Sequence, residues 1–343
     1  MKSLLAALLF LAAAAAALDA AVRGPISEYD LLRSFPAGRL AYLSAGDVPD
    51  AQGLTGSNHL NGAWLEAGPQ RGSCRAVIAA VVADDLPAAD RAWCGIEVAF
   101  EHQRADGGFE AAVRPNGASA KPLGAAVETA FFFLQELSRA ILVIRQSPHE
   151  AHFRARIATL EPKLRRATDF ISSGYDTIIE NSSRAVNRII IAAKAFGTCG
   201  VVLHDEKLIA TSRRLITHAL TLRDQEGVFI ENGGRDSSYN VVSILFGQVL
   251  ALHVPLPELE AAYPAAVAWQ LSRVLPSGEV DVTGNSRTGV GKEQSYFGEP
   301  KKVNYKEVVL ALTIYGLAHQ DQAALAGADR VFGYMQQNPQ STK

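Results

Sequence analysis

The stretch Gln103-Arg104-Ala105-Asp106-Gly107-Gly108-Phe109 decides how this chain is read. It follows a segment with apolar residues at helical spacing, and two stretches of the same kind recur: Gln225-Glu226-Gly227-Val228-Phe229 and Ser277-Gly278-Glu279-Val280. Each sets an acidic or small residue before a glycine and an apolar residue soon after it. Glycine reaches the positive φ that ends a helix, and the apolar residue folds back onto the bundle. From Asp106 to Glu226 is 120 positions, and on to Ser277 another 51. Those gaps suit whole numbers of helical hairpins of roughly 40–50 residues, the size of helix-pair repeats.

Working outward, apolar spacing predicts helices over 75–85, 88–103, 123–145, 150–172, 183–196, 206–223, 238–253, 256–274, 305–319 and 322–337. Stretches 125–134 and 189–195 are apolar almost all round, the pattern of a helix covered on more than one side. Alternating runs of strand type are few, so the fold class is all-α. With 343 residues, 48% apolar and 20% charged, the chain has ample core and is too apolar for disorder. A net charge of −2 gives no global basic field for nucleic acid. Three cysteines exclude a disulfide scaffold. Cys74 and Cys94 could pair in an oxidising compartment, with three free thiols as the other reading. None has the spacing of a zinc site, and no metal is expected.

Lys2 precedes an unbroken apolar run over 4–17, with small residues at Ala17, Ala20 and Ala21. The run is shorter than the roughly 20 residues that span a bilayer, so 1–21 reads as a secretory signal and 22–343 as one catalytic domain. No later stretch reads as long and charge-free enough to span. A soluble protein, secreted or periplasmic, is expected, without a membrane partner.

The Gln-x-x-Asp-Gly-Gly-Phe turn resembles those of α/α toroids, in which inner and outer helices alternate around a central hole. Terpene cyclases, several glycosidases and several polysaccharide lyases share that architecture. The resemblance implies a complete or incomplete toroid of five to seven hairpins with few short strands, and leaves the activity open.

Four polar segments interrupt the apolar helices. Gly56–Trp64 puts Asn58, His59 and Trp64 on a Gly-flanked loop, fit to hold a sugar by stacking and hydrogen bonds, or else simply a structured loop. Asn181–Arg188 opens an apolar helix, with Ser182 or Ser183 as N-cap and Asn187 one turn in, where the helix dipole favours an anion. In Glu231–Asn240, Gly233 and Gly234 admit a ligand to the backbone, Asp236 or Ser237 can cap, and Arg235 and Tyr239 lie about one turn apart. The last segment runs over 282–292 and on to Tyr296, Lys301, Lys302 and Tyr305. It is glycine-rich and cationic but lacks the Gly-Lys-Ser/Thr of a phosphate-binding loop, which favours an anionic ligand over a nucleotide.

The Asn-centred segment, the stretch Asp224-Gln225-Glu226-Gly227-Val228-Phe229-Ile230-Glu231, and Arg235 with Tyr239 together resemble alginate lyases and related toroid polyuronate lyases, over roughly residues 180–305. Gly284-Asn285-Ser286-Arg287 is similar to a segment of other secreted polyuronate lyases, acting on mannuronan or glucuronan. The resemblance implies that Asn187 neutralises the substrate carboxylate, Arg235 assists and Tyr239 transfers protons. Arg287, Asn285, Arg188, Trp64, Asn58, Tyr296, Lys302 and Tyr305 would bind the polyanion. Two departures stand out: Arg188 occupies the place of the family's His, and Arg235 is closer to Tyr239 than in alginate lyases. The residue types suit the reaction. β-Elimination removes the C5 proton of a 4-linked uronate and expels O4, and the carbanion survives only if the carboxylate is neutralised. A tyrosine beside an arginine can serve as base and then as acid; a lysine or histidine could fill the same part, which keeps His59, Tyr296 and Tyr305 in reserve.

The expected partner is therefore an anionic polysaccharide and not nucleic acid, with no cofactor and calcium left open. Two other classes compete. A glycoside hydrolase would need two carboxyls from Asp106, Glu110, Glu231 and Asp236. A non-catalytic carbohydrate-binding protein would use the loops of Trp64 and Arg287 alone.

Overall fold

The computed structural model describes residues 26–112, 123–294 and 298–339. Short helices α1 (Glu28–Arg33), α2 (Arg39–Ser44) and α3 (Gly56–Asn61) lead to α4 (Arg71–Val82) and α5 (Leu86–Glu101). Next come α6 (Leu123–Gln146), α7 (Glu150–Ser173), α8 (Tyr175–Ser182), α9 (Val186–Leu203) and α10 (Glu206–Thr221). The chain continues through α11 (Ser237–Ala251), α12 (Pro257–Glu260), α13 (Tyr263–Ser272), α14 (Tyr305–His319) and α15 (Gln322–Gln337). Extended pairing among the described residues is confined to isolated bridges. The protein is all-α.

The long helices alternate between two layers. Helices α4, α6, α9, α11 and α14 pack side by side, and α5, α7, α10, α13 and α15 each cover one of them. Side-chain register shows that the inner row runs in one direction. Between α6 and α9, Glu128 meets Arg188 at 3.4 Å, Gln135 meets Lys194 at 2.6 Å and Ser138 meets Thr198 at 2.6 Å. The partners advance together along both helices, which only a parallel pair allows. The same holds for α11 and α14, where Ser238 pairs with Asn304 and Gln248 with Ala311. Glu307 of α14 acts by charge on Arg71 and Arg75 of α4, so the first and last helices of the row come near one another. Glu28 of α1 binds Arg139 of α6 at 2.6 Å and His253, just beyond α11, at 2.8 Å. A parallel inner row gathers the N-termini of five helices on one face.

The three quoted turns are structurally equivalent. Gln103 bridges to Phe109, Arg223 to Phe229 and Val274 to Val280, with Gly107, Gly227 and Gly278 at φ of 88°, 82° and 87°. Each turn leaves one outer helix and rests on the next. A Cβ on Gly107 would stand 2.1 Å from the Arg166 carbonyl oxygen of α7, and one on Gly278 would stand 2.0 Å from that of Arg330 in α15. Gly278→Ala therefore incurs about 1–2 kcal/mol from the left-handed conformation and a backbone collision in addition. Gly284, at φ 79° with nothing near, supplies the comparison. Chemical denaturation should show Gly278→Ala well below Gly284→Ala in stability; equal midpoints would contradict this packing.

Several expectations change. The helix predicted from Ser183 begins at Val186, with Ala185 at its N-cap and no side-chain cap; Ser182 instead ends α8. The predicted 256–274 helix is two, because Pro257 and Pro264 each occupy the first turn of a helix of their own. Cys74, Cys94 and Cys199 are free; Cys74 lies buried in α4 while Cys94 is exposed on α5, so that pair does not form. Val186–Leu203 is, contrary to the reading above, long and apolar enough to cross a membrane. It is buried over 89% of that length, as the central helix of this core. The expected signal segment lies outside the described residues.

Candidate functional site

The N-terminal face is organised by Asp236, the N-cap of α11. Its Oδ1 accepts from the Ser238 and Tyr239 amides at 3.0 and 3.2 Å, as the sequence suggested. Its Oδ2 accepts from the amides of Arg287 and Thr288, both at 2.8 Å. One buried carboxylate thus starts the helix and pins the 284–288 loop across it. Asn285 completes the join, accepting from the Ser237 amide and donating to its hydroxyl, both at 3.0 Å. Arg287 is thereby laid over the Tyr239 ring, 4.2 Å from its centroid.

Around Tyr239 the charges alternate. Lys301 Nζ donates to the Tyr239 hydroxyl at 2.8 Å and to Glu293 at 2.7 Å. Arg287, only 4% exposed, is held between Glu293 and Glu231. Burial raises the Tyr239 phenol above its ordinary range, against the pull of Arg287. Burial also pushes the Glu231 carboxyl up to about 7, although Arg287 draws it down. Glu293 behaves oppositely, held at about 2 chiefly by its hydrogen bond to Arg287. Lys301 is lowered, mainly by burial. The start of α9 lies alongside, since Ala185 bridges to Glu231 and Arg184 accepts from the Asn232 amide. Asn187, 5% exposed, leaves its Oδ1 without a partner, and Glu231 does the same with Oε2. Orphaned buried acceptors of this kind are costly.

A cleft of about 420 Å³ opens on the same face, across the N-terminal parts of α3, α4, α6 and α9. Its walls include Arg71, Arg75, Glu128, Thr129, Phe132 and Arg188. Asp47 binds Arg75 through two bonds, at 2.7 and 3.1 Å. Arg188, paired with Glu128, also acts by charge on Glu231 and Lys301, so cleft and tyrosine cluster share an edge.

No family model, curated protein or solved structure matches this chain. The site therefore rests on its own geometry.

Of the residues singled out from the sequence, Tyr239, Asn187, Arg188 and Arg287 come to this face. Arg287, expected to bind substrate, is a buried brace with both its carboxylate partners already in place. Arg235 goes elsewhere: it pairs with Asp224 at 2.5 Å and Glu226 at 3.0 Å, near Trp269, because that turn offers it two carboxylates. Asn285 is a buried structural link. Asn58 is likewise consumed, accepting from the Leu65 amide and donating to the Glu66 carbonyl, both at 2.9 Å. His59 is exposed and paired with Asp50. Trp64 stacks on His102 at 4.1 Å and donates to the Glu110 carbonyl. Tyr305 is buried against Tyr334 and accepts from the Val280 amide. Lys302 is exposed, and its neighbour Lys301 is the one that reaches Tyr239. Tyr296 lies outside the described residues. Asp106 caps its own turn and Glu110 pairs with His102, so neither stands beside Glu231. Glu293, Arg71, Arg75 and Glu128 were missed. Their one signal was charge on the flanks of apolar helices and in a glycine-rich loop, which solvated residues share.

Proposed function

We propose that this protein is a polysaccharide lyase that cleaves an anionic polyuronate by β-elimination. The scaffold would be an α/α toroid of five hairpins, with the substrate lying across the N-terminal face of its inner helices. The observation that carries this reading is the Tyr239 hydroxyl, fixed by Lys301 while Arg287 covers its ring. Both cations stabilise a phenolate more than a phenol, which offsets part of the rise that burial imposes on Tyr239. In the reaction the phenolate takes the C5 proton, the C4–C5 double bond forms as the C4–O4 bond breaks, and Tyr239 returns the proton to O4. Arg188 and the Asn187 carboxamide would face the uronate carboxylate, offsetting charge as the carbanion develops. Alginate, glucuronan and pectate incubated with the purified protein should gain the ultraviolet absorbance of unsaturated uronates. New reducing ends without that absorbance would favour a glycoside hydrolase, for which a Glu231 carboxyl protonated near neutrality would be the acid.

Glu231 also gives a pH dependence with a definite sign. Below about pH 7 it is protonated and neutral; above, it adds a negative charge beside a polyanion. Affinity should therefore weaken as pH rises through about 7. Turnover of bound substrate should still climb, because burial keeps Tyr239 protonated at neutrality. Glu231→Gln should flatten the affinity profile and leave the rise in turnover. A wild-type affinity independent of pH between 6 and 8 would remove Glu231 from the site.

A further inference from the structure

Arg71 is the cation of the cleft that has no acid to hold. Its Nη1 donates to the Gly68 carbonyl at 3.2 Å, and its guanidinium lies 5.1 Å from the Phe132 ring centroid. Among the described residues no carboxylate forms an ion pair with it, whereas Asp47 engages Arg75 and Glu128 engages Arg188. It is partly exposed and lines the cleft. Burial and the neighbouring Arg75 work against its charge, while Glu307, Glu136 and Asp47 support it without pairing with it, so an anion in direct contact would support it further. With Nη1 on the Gly68 carbonyl, the Nε and Nη2 edge of the guanidinium is the one that can bind a carboxylate in bidentate fashion. Arg71 shares no contact with the tyrosine cluster: its neighbours are Gly68, Phe132 and Arg75, while those of Tyr239 are Arg287 and Lys301.

We propose that Arg71 and Phe132 form a second carboxylate subsite, which takes a uronate of the same chain other than the one being cleaved. This inference rests on the polyuronate reading and deepens it, making the substrate an oligomer or polymer carrying several carboxylates. Phe132 would lie beneath the guanidinium, and Thr129, whose hydroxyl accepts from the Gly68 amide at 2.7 Å, would steady the loop behind it.

The test is calorimetric titration of the full-length Tyr239→Phe protein, expected to keep its affinity while its turnover falls, using oligouronates from one to six sugars and their carboxyl-reduced counterparts. Adding Arg71→Gln should weaken binding of the longer oligouronates about 10–100-fold, the worth of a charged hydrogen-bonded pair. It should leave the monouronate and the reduced oligomers nearly unchanged. Equal loss at every length, or none at all, would overturn the subsite. Cleavage of polyuronate by the wild-type protein, measured separately, would in that case leave the proposed function standing. If Arg71→Gln does not fold, Arg71→Lys replaces it: the charge is kept and the fork lost. A loss of about fivefold confined to long oligomers is then expected, and unchanged affinity overturns the proposal.

Discussion

Tyr239→Phe is expected to lower turnover of the uronate polymer roughly 10²–10⁴-fold, the usual contribution of a positioned acid or base. Affinity should stay within a few-fold. The substitution removes one oxygen and leaves the packing intact, since Arg287 still has a ring to cover and Lys301 still has Glu293 at 2.7 Å. That selectivity makes the variant informative. A loss in both KM and kcat would mean that the hydroxyl holds substrate, and a rate within threefold of wild type would exclude Tyr239 from proton transfer. Lys301→Met should follow it part of the way. Without the ammonium the phenolate loses its direct donor, and Arg287 alone remains to stabilise it. A Lys301→Met protein as fast as wild type would show that the amine is only a partner of Glu293.

Tyr239 was legible because a polar, glycine-bearing run stood directly before a buried helix, and Asp236 could be read as its cap. The helices over 305–319 and 322–337 were legible for the same reason, apolar spacing with clear stops, and their bounds hold to the residue. Which arginine would sit beside the tyrosine was not legible. Arg235 is four positions away, the right distance on a helix, yet it precedes the helix start and turns back to Asp224 and Glu226. Arg287 arrives from 48 positions further on, carried by the hold of Asp236 on its amide. Such a contact depends on loop closure, which neither periodicity nor residue type encodes. The cleft was hidden for a related reason. Arg71, Glu128 and Arg188 sit at first-turn or flank positions of three separate helices, and only the parallel inner row brings them together. Helices α1, α2 and α3 have six residues each, too few for a periodic signal.

Lys194→Met should be the most damaging single change away from the site. Lys194 is fully buried in α9, where Nζ donates to Gln135 at 2.6 Å and Glu136 at 3.1 Å above the ring of Phe246. Glu136 also meets Arg139, which in turn holds Glu28. Burial alone would raise the Glu136 carboxyl, but Lys194, Arg139 and Arg75 overturn that and hold it at about 2. Its contribution to stability is therefore complete above pH 4.5 and is lost as pH falls towards 2. Removing Lys194 leaves the buried Glu136 carboxylate with Arg139 as its one ion-pair partner among the described residues and should cost about 3–5 kcal/mol. At the usual entropy of unfolding per residue, that lowers Tm by roughly 4–7 °C. The double variant Lys194→Met with Glu136→Gln removes both charges and should recover at least about 1 kcal/mol relative to the sum of the single effects. Strict additivity of the two would mean that the lysine and the glutamate do not depend on each other. In that event the inner row would be held by apolar packing, and the chain of charges from α1 through α6 to α9 would have no part in fixing its register.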